Sequence, residues 1–112
     1  MKLNHIHVQV RDLGTAIRWF ETVLQVKPVF GNERLAALPF GEMTLILDAG
    51  SNDIPATLGF QSQDCDFDFQ TVIDRGAAAL EPPSNKEWGV RAAYFKGPGA
   101  LKCEIEGPVT GS

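Results

Sequence analysis

The chain reads as an α+β protein built from two βαβββ repeats, and three observations predict it. Residues 3–10, LNHIHVQV, alternate polar and apolar positions as a strand with one packed face does. The residues after Asp12 return apolar side chains at helical spacing. The same order of strand, helix and three short strands then recurs after the turn-rich linker GSNDIP, residues 50–55, with a period near half the chain.

In the first strand Leu3, His5, His7 and Gln9 share one face, and Ile6, Val8 and Val10 share the other. Asp12 is placed to cap the helix LGTAIRWFETVL, where Leu13, Ala16, Ile17, Phe20 and Leu24 form an apolar stripe. KPVFGN, ERLAALPF and EMTLILDA are each strand-length and bounded by Gly, Pro or Asn. In the last of these, Thr44 and Ile46 alternate against Met43, Leu45 and Leu47.

The second repeat opens with ATLGFQSQ, with Thr57, Gly59 and Gln61 on one face and Leu58 and Phe60 on the other. Asp64 is its expected helix cap, Phe69, Val72 and Ile73 its buried stripe, and Gly76 its stop. AALEPP, WGVRAAYF and LKCEIEG supply three more strands, with Pro82, Pro83 and GPG read as breaks. The predicted domain spans 1–110, with repeat one at 1–50 and repeat two at 54–108. Each half alone is too small to be stable. With helices covering one side, the sheet is expected to curl so that its other side lines a cavity. His5, His7, Gln9, Thr57, Gly59 and Gln61 would lie there.

Composition narrows the function. Of 112 residues 44% are hydrophobic and 21% charged, with a net charge of −4, the profile of a globular protein. The ten Lys and Arg residues are scattered, which excludes a nucleic-acid patch. No apolar run approaches the ~20 residues of a membrane span, and the N-terminus lacks a signal-peptide core. Cys65 and Cys103 form no CxxC motif, so a reducing, cytoplasmic setting is expected. No Ser-His-Asp set, phosphate loop or dinucleotide motif is present.

MKLNHIHVQVRDLGTAIRWFETVLQV resembles the opening of vicinal oxygen chelate proteins, the superfamily of glyoxalase I, bleomycin-resistance proteins and extradiol dioxygenases. Leu3, His5, Val10, Asp12, Trp19, Phe20, Val23 and Leu24 match its pattern, and Gln25 replaces the usual Gly. WGVRAAYFKGPGALKCEIEGP resembles its close through Trp88, Gly89, Arg91, Phe95, Pro98 and Glu104. The resemblance implies the paired βαβββ fold around a ligand cavity and, at this length, a homodimer. In metal-dependent members it implies ligands at His5, Thr57 and Glu104. Thr57 stands where a His is usual, and a neutral hydroxyl is a poor ligand for a divalent cation. His7, two residues from His5, could join His5 and Glu104 as a two-His, one-carboxylate set for Zn, Ni, Mn or Fe. The alternative is that His5 and Glu104 hydrogen-bond across adjacent strands. YFKGPGALKCE also resembles the extradiol dioxygenase signature at Tyr94, Pro98 and Glu104, which would make Tyr94 a proton donor; packing is the other reading.

Arg91 could clamp an anion or form an ion pair. Trp88 could stack on a planar ligand or pack at a rim. Asp64, Asp66 and Asp68 suit a helix N-terminus better than a calcium site. Cys103 should face the helix as a buried thiol.

Two functions follow. The first is a small-molecule binder of the bleomycin-resistance type, using His5, His7, Gln9, Thr57, Gln61, Trp88 and Arg91, with no cofactor and no bond chemistry. The second is a metal-dependent lyase or isomerase with His5, His7 and Glu104 as ligands and Glu104 and Tyr94 as catalytic groups. A partner-binding module with a vestigial cavity is a third. Neither nucleic acid nor a membrane is an expected partner.

Overall fold

A computed structural model describes residues 5–110; Leu3 lies outside them. The element order is β1 (His5–Val10), α1 (Leu13–Trp19), a π-helical turn (Phe20–Leu24), β2 (Phe30–Gly31), β3 (Leu35–Phe40) and β4 (Met43–Ala49). β5 (Ala56–Gln61), α2 (Cys65–Asp74), β6 (Ala78–Asn85), β7 (Arg91–Lys96) and β8 (Leu101–Gly107) follow. The strands form two four-stranded mixed sheets, β1-β4-β3-β2 and β5-β8-β7-β6. In each, the first strand runs parallel to the fourth and the remaining pairs are antiparallel. These are the two expected βαβββ modules. The chain divides into two units, residues up to Pro55 with Pro98–Ala100, and Ala56–Gly97 with residues from Leu101 onward.

In the first unit, Val8, Val10, Ala36, Leu38, Leu45 and Leu47 are buried with Leu13, Ala16, Phe20 and Val23 of the helical segment. α1 touches β3 and β4. Asp12 caps it as expected, its carboxylate accepting from the Thr15 amide at 3.0 Å. That local bond, strengthened by the Thr15 side chain and the Arg18 charge, holds the Asp12 pKa low. The helix does not finish as a regular α-helix. Its last turn widens: the Phe20 carbonyl accepts from the Gln25 and Val26 amides, and Val23 rather than Leu24 is buried. Gln25 ends the turn at φ 58°, the left-handed position that Gly usually fills.

In the second unit, Leu58, Phe95, Leu101, Cys103 and Ile105 are buried with Cys65, Phe69 and Val72 of α2. α2 touches β6, β7 and β8. Asp64 caps it through the Phe67 amide at 3.0 Å, and Gly76 ends it at φ 106°.

Three boundaries differ from expectation. Pro82 and Pro83 do not end the strand: β6 runs on to Asn85 with two register shifts. It is an edge strand, where a missing N–H costs no ladder bond. β7 begins at Arg91, because 86–89 form a tight turn closed by the Gly89 amide on the Lys86 carbonyl at 3.1 Å. β2 keeps only two residues, paired to Ala36 and Ala37.

Candidate functional site

β1 carries the first group of candidates. Val8 and Val10 are buried, while His5 and His7 are exposed and Gln9 is half-buried, so the period-2 pattern turns the histidines away from α1. β4 is in parallel register with β1, setting His7 beside Ile46 and Gln9 beside Asp48. The His7 Nδ1 lies 2.8 Å from Asp48 Oδ2. An ionised carboxylate only accepts, so Nδ1 carries a proton in this contact, and in the neutral ring Nε2 is then the acceptor nitrogen. The His5 and His7 rings meet edge-on, with centroids 5.2 Å apart. Gln9 turns onto the linker that follows β4, its Nε2 donating to the Asn52 carbonyl at 2.9 Å.

The second group stands on β5, β8 and β7. Register lines up three rows across these strands: Thr57, Lys102 and Lys96; Gly59, Glu104 and Tyr94; Gln61, Glu106 and Ala92. Alternation faces these residues away from buried Leu101, Cys103 and Ile105. The Tyr94 hydroxyl donates to Glu104 Oε2 at 2.5 Å. That bond, together with burial and the charges of Glu104, Glu81 and Glu106, pushes the Tyr94 pKa up to about 12. Lys102 places its Nζ 4.3 Å from the Tyr94 ring centroid, a cation–π contact. Lys86, ion-paired to Glu81, lies 5.8 Å from the same ring.

Two clefts open on this surface. One of about 290 Å³ is lined by Gly59, Phe60, Gln61, Glu104 and Glu106. The other, about 520 Å³, is lined by residues that include Gln61, Ser62, Val90 and Glu106. Gln61 and Glu106 border both.

Arg91 and Trp88 do not join these rows. Arg91 is three residues before Tyr94, so parity puts it on the α2 side of β7. There its guanidinium forks onto Asp66, with Nε to Oδ2 at 2.6 Å and NH2 to Oδ1 at 2.9 Å. The pairing holds the Asp66 pKa low and raises that of Arg91. The ion pair, rather than an anion clamp, is what the sequence builds. Trp88 sits 59% exposed in the turn before β7. Asp68 accepts from Ser62 Oγ at 2.5 Å, so Asp64, Asp66 and Asp68 each have a protein partner. Cys103 is buried as expected, which pushes its thiol up to about 12.

Glu104 has the Tyr94 hydroxyl as a partner within the second sheet. Among the described residues no group of three or more His, Cys, Asp or Glu side chains is placed to hold a metal ion. Thr57 is neutral and a poor ligand for a divalent cation, while the His7 Nδ1 contact with Asp48 leaves Nε2 unengaged by that bond. Asp48 and Glu106 were missed in the sequence, although alternation places each with its site: Asp48 continues the Thr44–Ile46 face, and Glu106 the Glu104 face.

No described helix is long and apolar enough to cross a membrane. No family model matches the sequence, and no curated protein matches it. Solved structures do. A glyoxalase/bleomycin resistance protein/dioxygenase from Nocardioides is similar at a TM-score of 0.85 and 16% identity, over 100% of this chain and 86% of that one. A member of the same superfamily from Sphaerobacter thermophilus is similar at 0.80 and 19%, over 96% and 97%. A glyoxalase-related enzyme from Fulvimarina pelagi is similar at 0.78 and 16%, over 94% and 86%. At such identities the likeness speaks for architecture, and it agrees with the strand order and the two modules: the chain has the vicinal oxygen chelate fold.

Proposed function

We propose that the protein binds a small organic molecule on the open face of β5, β8 and β7, in the manner of bleomycin-resistance proteins and without a complete metal site. The observation that carries this reading is the cleft over Glu104, where the Tyr94–Glu104 pair sits beside Gly59, which adds no side chain, and Gln61. Ligand sites are concave, with volumes of roughly 300–1,000 Å³ and a few placed polar groups. The larger cleft, about 520 Å³, falls in that range, and the smaller, about 290 Å³, lies at its lower edge. Thr57, in the first row of the same face, is proposed as a further ligand contact, and His5 and His7 of β1 are proposed as ligand-binding residues of the first unit.

The competing lyase or isomerase, with His5, His7 and Glu104 on a metal and Tyr94 as acid, asks for three protein donors on one ion. Thr57 in place of a His is the residue that argues against it. The protein is proposed to act as one domain and as a homodimer. Two free, buried cysteines support a reducing, cytoplasmic setting.

Titrating metal-free protein with an aromatic cation such as benzyltrimethylammonium, followed through backbone amide resonances, tests the function. Saturable shifts at Gly59, Gln61, Glu104 and Glu106 are expected. Stoichiometric metal in the purified protein, lost on His5→Ala, would replace the binder with the metal enzyme.

A further inference from the structure

We infer that Asn85 is a positioning residue for the larger cleft: its side-chain amide latches residues 108–110 as a strap whose root is part of the cleft wall. The inference rests on the binding function proposed above and adds what shapes its site. Gly107 and Pro108 line that cleft together with Val90. Gly107 is paired with Arg91, and Arg91 with Asn85, so β8, β7 and β6 come level at these three residues. Pro108 has no N–H with which to extend β8. Beyond it the chain crosses the start of β7 and reaches Asn85.

The strap is held at both ends. At its root Gly107 packs so closely that a Cβ there would lie 3.0 Å from the Ser62 carbonyl oxygen and 3.3 Å from the Cys65 amide nitrogen. At its far end Asn85 engages both backbone groups of Thr110. Its Nδ2 donates to the Thr110 carbonyl at 2.8 Å, and its Oδ1 accepts from the Thr110 N–H at 3.3 Å. Pro108 and Val109, between the two anchors, are exposed. An Asn amide has two orientations, and only one presents donor and acceptor in that order. Arg91 selects it, because its NH1 donates to the same Oδ1 at 3.3 Å, and a flipped amide would turn an N–H toward the guanidinium. Arg91 is itself fixed by its fork onto Asp66. Asp66 on α2 therefore reaches the strap through two side chains, and none of the three residues lines the larger cleft.

Two measurements on the full chain test the latch: the backbone order parameter of Thr110, and benzyltrimethylammonium binding read at the Gln63 and Gly107 amides. Thr110 should be ordered in the wild type, near about 0.85, and fall below about 0.6 in Asn85→Ala. The probe should bind that variant about threefold more weakly, the effect of losing one or two exposed hydrogen bonds that hold the binding-competent form. Arg91→Met should loosen Thr110 and weaken the probe in the same direction, although the bonds of Arg91 go to Asn85 and Asp66 rather than to Thr110. Asn85→Asp, which keeps the acceptor and loses the donor, should fall between wild type and Asn85→Ala. A Thr110 as ordered in Asn85→Ala as in the wild type would overturn the inference, and so would a loosened Thr110 with unchanged probe affinity. In both cases a probe that still saturates the site leaves the binding function standing. If the wild-type protein shows no saturable binding, both fall.

Discussion

The hydroxyl of Tyr94 donates to Glu104 Oε2 at 2.5 Å across directly paired positions of β7 and β8. Because cross-strand register fixes both Cα positions, the bond is a consequence of the hairpin rather than of a mobile loop, and it organises the open face of the second sheet.

Tyr94 is the only tyrosine in the chain, so its ionisation is directly readable by ultraviolet absorbance. The phenolate should appear near pH 12 rather than near 10. A pKa raised by folding stabilises the protein below the unfolded value, and that contribution is lost as pH rises through the folded one. The alkaline loss of stability should therefore fall between about pH 10 and 12. Glu104→Gln should return the titration toward 10, the ordinary value. A wild-type titration already at the ordinary value would contradict the bond.

Gln25 holds φ 58° at the end of the π-helical turn. A side chain in that conformation costs roughly 1–2 kcal/mol, and Gly gives back about 0.5–1 through its unfolded-state entropy. Gln25→Gly should raise stability by about 0.5–1 kcal/mol, seen as a higher urea midpoint with an unchanged slope.

Gly99 sits at φ 62°, and a Cβ there would lie 2.5 Å from Asp53 Oδ1. That same oxygen accepts from the Arg11 amide at 2.9 Å. Gly99→Ala should lower stability by about 1–3 kcal/mol through backbone strain and displacement of Asp53. In an Asp53→Ala background thermal unfolding should show a smaller loss, because only the strain remains.

Asp48 fixes the proton of His7 on Nδ1. In Asp48→Ala the imidazole should move toward the Nε2-protonated tautomer, visible in the ring nitrogen shifts. The pair is exposed, 57% and 38% for the two side chains, so the stability change should stay within about 0.5 kcal/mol. An unchanged tautomer would mean that Asp48 does not orient the ring.

Arg91 holds the Asp66 pKa low through its forked hydrogen bonds and its charge. A carboxylate depressed by folding stabilises above its unfolded pKa, and the contribution disappears as pH falls through the folded value. Arg91→Ala should bring the Asp66 titration up to the ordinary carboxylate range and remove that part of the acid-side dependence of the melting temperature. Arg91→Lys should not restore it, since an ammonium cannot make the fork.

Much of this molecule is written in its local pattern. The alternation in LNHIHVQV settles which side of β1 is packed, and Asp12 and Asp64 settle where both helices begin, because caps and strand faces depend on neighbours a few residues away. The same parity could have separated Arg91 from Tyr94 and joined Glu106 to Glu104. Pairing between distant segments is different. That Glu104 meets Tyr94, that His7 meets Asp48 41 residues away, and that prolines 82 and 83 sit harmlessly on a sheet edge depend on strand order and register. Those are fixed by how whole strands bury their apolar faces together, so only the tertiary structure decides them.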